Sequence, residues 1–275
     1  MRRPIRLSRP LIYLVLIGFS AFYLMPFYVM VITSLKPYTE LNVTRMWDLP
    51  RTIDFSGFAE AWTRVSPNFR NSVEITIPAA LLSSVLGSIN GYIFAKWRFR
   101  GSDTLFMLFL FGMFLPYQGI LIPLVRTLQT FGLYGKQIGL ILTHCIFGIP
   151  ITALLFRGYY AGIPNELLDA GKIDGCGFFR LYRHILLPIS LPGFAVVLLW
   201  QFTSIWNDFL IGLVVLSNPS RAPVNVAVQN IAGSWSVEWN VQMSAALIAA
   251  LPTVILYLSM GRLFMRGLLA GAVKG

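Results

Sequence analysis

The sequence predicts an all-α integral membrane protein, and three observations carry that prediction. Of 275 residues 56% are hydrophobic and only 12% charged, with a mean hydropathy of +0.68, which suits a chain solvated by lipid more than by water. The apolar residues gather into six runs, each near the roughly 20 helical residues needed to cross a hydrocarbon core. Finally, the net charge of +11 falls unevenly on alternate loops, which argues against a nucleic-acid-binding reading of the same charge.

In chain order, the basic flank within residues 1–10 (Arg2, Arg3, Arg6, Arg9) precedes a first span at 11–35, with a possible kink at Pro26. Its length, the lack of a small-residue cleavage pattern and the spans that follow distinguish it from a cleaved signal peptide. A mixed-charge segment, 36–71, is read as an external loop, with a short amphipathic helix at 55–65 lying on the outer surface. The plainer alternative is a solvated connector. The second span, 75–95, carries Ser83, Ser84, Gly87, Ser88, Asn90 and Gly91, small or polar residues suited to close helix packing. The third, 104–125, contains Pro116 and Pro123, breaks that are tolerated where protein or a water-lined cavity satisfies the freed backbone. The fourth covers 138–156, the fifth 192–216 and the sixth 241–260, so the transmembrane domain occupies 11–266 and a tail 267–275.

Charge then sets the orientation. Arg2–Arg9, Lys96, Arg98, Arg100, Arg157, Lys172, Arg180, Arg183, Arg262, Arg266 and Lys274 share one side with few acids, while the other side is nearly balanced. Both termini and the loop 164–188 are therefore expected in the cytoplasm of a cell (inner) membrane. Cys145 and Cys176 fall in different environments and are read as space-filling, and no Cys/His spacing suggests a metal site.

That loop is a charged island between two apolar runs. Glu166 favours a helix N-terminus, and Leu167, Ala170, Gly171 and Asp174 fall on one helical face. A helix over 164–175 would be about 18 Å long, too short and too charged to lie in lipid. Its small residues Ala170, Gly171 and Gly175 would let another surface approach closely. Gly175 and Gly177 mark a break before a second amphipathic turn with Phe178, Leu181, Tyr182 and Ile185 on one side, closed by Pro188.

Asp169-Ala170-Gly171-x-x-x-Gly175, nine residues, then Ile185-x-Leu187-Pro188 resembles the EAA loop of ATP-binding-cassette (ABC) importer permeases, whose pattern is Glu-Ala-Ala-x-x-x-Gly-(nine)-Ile-x-Leu-Pro. Asp169 for Glu and Gly171 for Ala are the departures. Lys172–Gly175 and the terminal run 271–275 look like the carbohydrate-uptake, maltose-type branch. The resemblance implies a six-helix permease bundle with a cytoplasmic coupling helix at 166–175. It also implies a heterodimer with a second permease chain, two ATPase subunits that bind ATP and Mg, and an external solute-binding protein. ATPase coupling would fall to Glu166, Asp169, Ala170, Gly171, Asp174, Gly175, Ile185, Leu187 and Pro188, with Asp169 pairing with a basic group of the ATPase. Gly271, Lys274 and Gly275 would reach the same interface, and 217–240 would contact the binding protein. The strings at 236–243 and 178–192 look most like permeases for glucose or mannose.

No cofactor, metal or nucleophile is expected on this chain itself. It has no phosphate-binding Gly-x-x-x-x-Gly-Lys-[Ser/Thr] loop, since Gly132–Lys136 has neither the spacing nor the hydroxyl. Asp208 is an acid placed near or inside a span, which makes it a functional candidate unless it is hydrated or paired near the outer end. Trp206 and Asn207 suit sugar recognition by stacking and hydrogen bonding, and Trp200, Gln201, Tyr117 and Gln118 are candidates for the same path. Aromatic residues in spans also serve as packing or interfacial anchors. A secondary carrier would need an intramembrane charge relay, and co-purification of an ATPase separates that reading. A membrane enzyme would need clustered acids or histidines, and turnover by the isolated chain would reveal it. An importer of a non-sugar solute is the nearer alternative.

Overall fold

The computed structural model describes residues 9–97, 99–233 and 237–272, and the long elements among them are helices. In order these are α1 (Arg9–Ser34), α2 (Ser56–Lys96), α3 (Ser102–Phe111), α4 (Leu121–Thr130), α5 (Gln137–Ala161), α6 (Asn165–Ile173), α7 (Phe178–Leu181), α8 (Leu187–Ile189), α9 (Leu191–Trp206), α10 (Leu210–Val215), α11 (Val224–Ala232) and α12 (Trp239–Ala272). A π-helical turn, Tyr182–Leu186, joins α7 to α8. Arg2, Arg3, Arg6, Arg98, Lys274 and Gly275 lie outside the described residues, as do 234–236 of the external segment 217–240.

Among the described residues, α1, α2, α5 and the 239–260 part of α12 are each long and apolar enough to cross a membrane. Two further candidates are bent: Ser102–Phe114 with Tyr117–Thr130 at 88°, and Phe178–Ile189 with Leu191–Trp206 at 80°. Six spans are reached when each bent pair counts as one. The expected third span, 104–125, is therefore not a straight helix. Pro116 disfavours helical geometry in the residue before it, and Leu115 takes φ −70°, ψ 126°. The expected fifth span, 192–216, is also interrupted, with α9 ending at Trp206 and α10 starting at Leu210.

The predicted amphipathic helix at 55–65 is not a separate element on the outer surface. It forms the first turns of the 41-residue α2. Asp54 starts that helix by accepting from the amide (2.8 Å) and hydroxyl (2.8 Å) of Ser56. Pro67 and Pro78 sit inside α2 without ending it. At the other end of the fourth span, α5 continues to Ala161 and takes Arg157 into the helix. Gly271 lies in the last turn of α12, within the segment read as a tail.

The chain divides into two compact units, Met1–Ser66 with Val228–Ala250, and Pro67–Ala227 with Leu251–Gly275. In the first, α1 buries only Ile32, Thr33 and Ser34. Arg64 is held between Glu60 (2.7 Å) and Glu238 (2.6 Å).

In the second unit, α2, α5 and α9 meet through small and hydroxyl residues. A Cβ at Gly87 would overlap the side chain of Thr152, so only glycine lets α2 and α5 approach this closely. Thr152 donates its hydroxyl to the Ser83 carbonyl (3.0 Å), and Gln201 donates to Ser83 Oγ (2.8 Å). Toward the N-terminal end of this stretch, Asn68 donates to the carbonyls of Pro219 and Ala222 (both 2.8 Å), and Ser72 Oγ accepts from the Val224 amide (2.8 Å). At its C-terminal end Lys96 donates to Ile163 O (2.6 Å) and Asn165 Oδ1 (2.8 Å). The turn at 219–222 and the loop after α5 are thus tied to opposite ends of one helix, about 40 Å apart at 1.5 Å per residue.

Gly87→Val is expected to destabilise the protein by about 1–3 kcal/mol through overpacking. Gly158→Ala, with nothing within 4 Å of the added methyl, should be neutral or stabilising. Thermal melting of the purified chain in detergent checks both.

Candidate functional site

The island between α5 and α9 folds as a helix seated on a helical turn. Pro164 precedes α6 in extended geometry (φ −57°, ψ 138°), with Glu166 in the first turn and Lys172 in the last, the charge order that the helix dipole favours. Its end is a Schellman cap. The Cys176 amide donates to Gly171 O (2.9 Å) and the Gly175 amide to Lys172 O (3.0 Å). This cap puts Gly175 at φ +78°, a conformation that residues with a Cβ rarely adopt. Gly177 is extended (φ −77°, ψ 177°), so the turn depends on the first glycine and not on both.

The buried face of α6 consists of Leu168 and Gly171. A Cβ at Gly171 would lie 2.6 Å from Ile185 Cδ1 and 2.7 Å from Leu181 Cδ2. Gly171 therefore does not admit an outside surface, as the sequence suggested; it lets α6 rest on α7 and the π-turn of its own chain. Ile185 supplies one half of that seat. Leu187 packs against the same apolar cluster, and Pro188 is exposed. The outward face presents Glu166, Leu167, Asp169, Ala170, Ile173 and Asp174, with Ile173 87% exposed. Nearby Phe179 is 73% exposed. Asp169 already pairs with Lys172 of the same helix (2.8 Å), an exposed ion pair worth at most about 1 kcal/mol.

Beneath this seat lies an aromatic cluster that sequence reasoning did not assemble. Tyr92 of α2 stacks on Phe178 (centroids 4.8 Å apart) and on Tyr182 (5.9 Å), and Phe156 of α5 stacks on Tyr160 (5.7 Å). Tyr182 donates to Ser88 Oγ (2.9 Å). Ser88 had been legible only as a small residue, and Tyr182 only as part of an apolar face.

The expected substrate-path residues fall in different surroundings. Trp206 is fully buried, edge-on to Phe69 (5.3 Å) and stacked on Phe202 (5.4 Å), which makes it a packing residue. Gln201 is 2% exposed and bonded to Ser83, so it joins helices instead of lining a path. Asn207 is exposed and donates to Thr203 O of its own helix (2.9 Å). Asp208 lies in the break between α9 and α10 and accepts from the Gly212 amide (3.0 Å), capping the helix that restarts there. It is also 3.8 Å from His144 Nε2. That approach is longer than a hydrogen bond, so the partner the structure gives Asp208 is the Gly212 amide. Trp200, Tyr117 and Gln118 are exposed, the latter two at the 88° bend.

Residues 71–269 match the family described as binding-protein-dependent transport system inner membrane component. The chain is 43% identical to a "Probable ABC transporter permease protein" of Pyrococcus horikoshii, over 100% of both chains. It is 35% identical to the xylose/arabinose import permease protein XacI of Haloferax volcanii, over 96% of this chain and 93% of that one. With the glucose import system permease protein GlcU of Saccharolobus solfataricus it shares 32%, over 99% and 98%. A chain of a bacterial ABC transporter involved in import of the acidic polysaccharide alginate has the same fold, with TM-score 0.78 and 20% identity over 93% of this chain and 98% of that one. Such a subunit is multi-pass and non-catalytic, and its system includes ATPase subunits and a solute-binding protein. The chain belongs to the family of binding-protein-dependent transport system inner membrane components, as an ABC transporter permease of the carbohydrate-uptake type.

Proposed function

We propose that this chain is a permease subunit that moves a sugar, a mono- or oligosaccharide, into the cytoplasm. ATP hydrolysis on separate subunits would drive alternating access, and α6 would be the part on which they act. The observation that carries the coupling role is the outward face of α6. A nine-residue helix whose own packing uses only Leu168 and Gly171 leaves Leu167, Ala170 and Ile173 facing out. Exposed apolar residues flanked by Glu166 and Asp174 suit a protein partner with a small apolar cleft and basic rim. In this role Gly175 ends the helix sharply, while Gly171, Ile185 and Leu187 hold it rigid from behind. Rigidity matters because a displaced helix transmits force only if its seat does not yield.

Charge asymmetry supports cytoplasmic termini and a cytoplasmic α6. The tail around Gly271, Lys274 and Gly275 is proposed to meet the ATPase, the turn around 217–240 the binding protein, and a second permease chain to complete the bundle. The printed names of the xylose/arabinose and glucose permeases support a sugar substrate, with glucose or mannose as the narrower resemblance. Exposed Trp200, Tyr117, Gln118 and Asn207 remain proposed path residues, since they are the candidates not committed to internal packing.

Ile173→Asp in the complex reconstituted with its ATPases, binding protein and a panel of glucose, xylose and maltose is expected to abolish sugar-stimulated ATP hydrolysis and uptake. The permease itself should insert and melt as wild type does. Unchanged stimulation would refute docking through this face. Gly171→Val acts differently: by displacing Leu181 and Ile185 it should lower the melting temperature of the isolated permease as well, by about 1–3 kcal/mol of stability.

A further inference from the structure

Between the seat of α6 and the start of α9 runs a chain of buried hydroxyls. Tyr182 of the π-turn donates to Ser88 Oγ of α2 (2.9 Å). Ser88 Oγ and Tyr160 OH of α5 share a bond of 2.5 Å. Tyr160 donates to Ser190 Oγ (3.3 Å), and Ser190 donates to Leu187 O (3.0 Å). With Ser88 donating to Tyr160, every hydroxyl gives one proton in the same direction, and the chain ends on a backbone carbonyl. Ser88 and Ser190 are fully buried.

Its end is the 80° bend between α8 and α9. A bend frees backbone groups, and here Pro192 adds to the deficit because it has no N–H to offer the carbonyl one turn before it. The Pro188 carbonyl is the one that loses this partner, and two consecutive tyrosines of α5 hold its neighbours. Tyr159 donates to Ile189 O (3.0 Å) and lays its ring against Gly193, while Tyr160 holds Ser190, which in turn holds Leu187 O. The bend is thus gripped from α5, and the same Tyr160 is bonded through Ser88 to the turn on which α6 rests.

We infer that this hydroxyl chain makes the α6 seat and the bend at Ser190 one mechanical unit, with Tyr160 as the positioning residue through which displacement of α6 reaches α9. The inference rests on the proposed docking of α6. An apolar contact of the same shape would hold α2 and α5 against the 178–190 arm but let them slide. Directional bonds between buried groups fix register as well as proximity, because sliding leaves each hydroxyl unpaired.

The test is hydrogen exchange in the assembled transporter in nanodiscs, with and without ATP plus vanadate, comparing wild type, Tyr160→Phe and Tyr182→Phe. In wild type, amides of both 165–186 and 191–206 are expected to change protection. In Tyr160→Phe the change at 165–186 persists, and the change at 191–206 falls by about fivefold or more, the scale of losing paired buried hydroxyls. Tyr182→Phe, which removes only the first link and keeps Tyr160 on Ser190, serves if Tyr160→Phe fails to assemble, and the same separation of the two responses is expected. Equal responses of both segments in an assembled variant would overturn the inference, as would a wild-type 191–206 that never responds. Absence of any wild-type response at 165–186 would instead overturn the docking proposal.

Discussion

Where water cannot reach, a backbone group freed by a bend has to find another partner, and much of this structure follows from that constraint. Straight helices meet it alone; α1 and α5 do so along most of their length. The bends cannot. At the break after α9, the carboxylate of Asp208 supplies an acceptor to the Gly212 amide, and Asn225 donates to the Trp206 carbonyl (2.7 Å). At the bend before α9, Tyr159 and Ser190 supply the donors. Polar residues in apolar helices therefore serve the joints as well as the contacts between helices. They hold the joints in one geometry and keep neighbouring helices in register, at Ser83, Thr152 and Gln201 as well as at Ser88 and Tyr160.

This explains which features were legible in the sequence. The six apolar runs, the charged island, its helix and the glycine stop at Gly175 all follow from composition, spacing and local φ preference. The family motif could be read from the positions of Asp169, Gly175, Ile185, Leu187 and Pro188. Long-range pairing could not be read. Gln201 and Trp206 look like substrate ligands in a linear sequence because a polar or indole group in a span is unusual, but only the fold reveals that Ser83 and Phe69 stand opposite them. Asp208 has the residue type that starts helices, but it lies within the longer apolar stretch 192–216, which reads as one span, so the restart at Leu210 is hidden. Gly171 was placed on the right helix and the wrong face, since a motif gives spacing without direction. The π-turn at 182–186 also escaped, although Pro188, whose missing N–H leaves a carbonyl one turn earlier unpaired, was a local reason to expect irregular bonding there.

The same arrangement connects structure to the proposed coupling. A short helix carrying three charges would be poorly stable alone. Here it is held by a glycine contact behind, a Schellman cap at one end and Lys96 at the other, so its outward apolar residues are presented on a rigid base. Lys96 is the last residue of α2, and through Asn165 it fixes the start of α6 to the end of a long helix. Force applied to α6 would thus enter α2, α5 and α9 together, as alternating access by rigid helices requires.

The central claim is that the outward face of α6 is cytoplasmic and covered by the ATPase. It is tested most directly by placing a single cysteine at Ile173, with Cys145 and Cys176 replaced by serine, and reacting it with a membrane-impermeant maleimide. The account predicts labelling in inside-out vesicles that hold the permease alone, protection when the ATPase is bound, and no labelling in right-side-out vesicles. Labelling from the outside, or equal labelling with and without the ATPase, would contradict it.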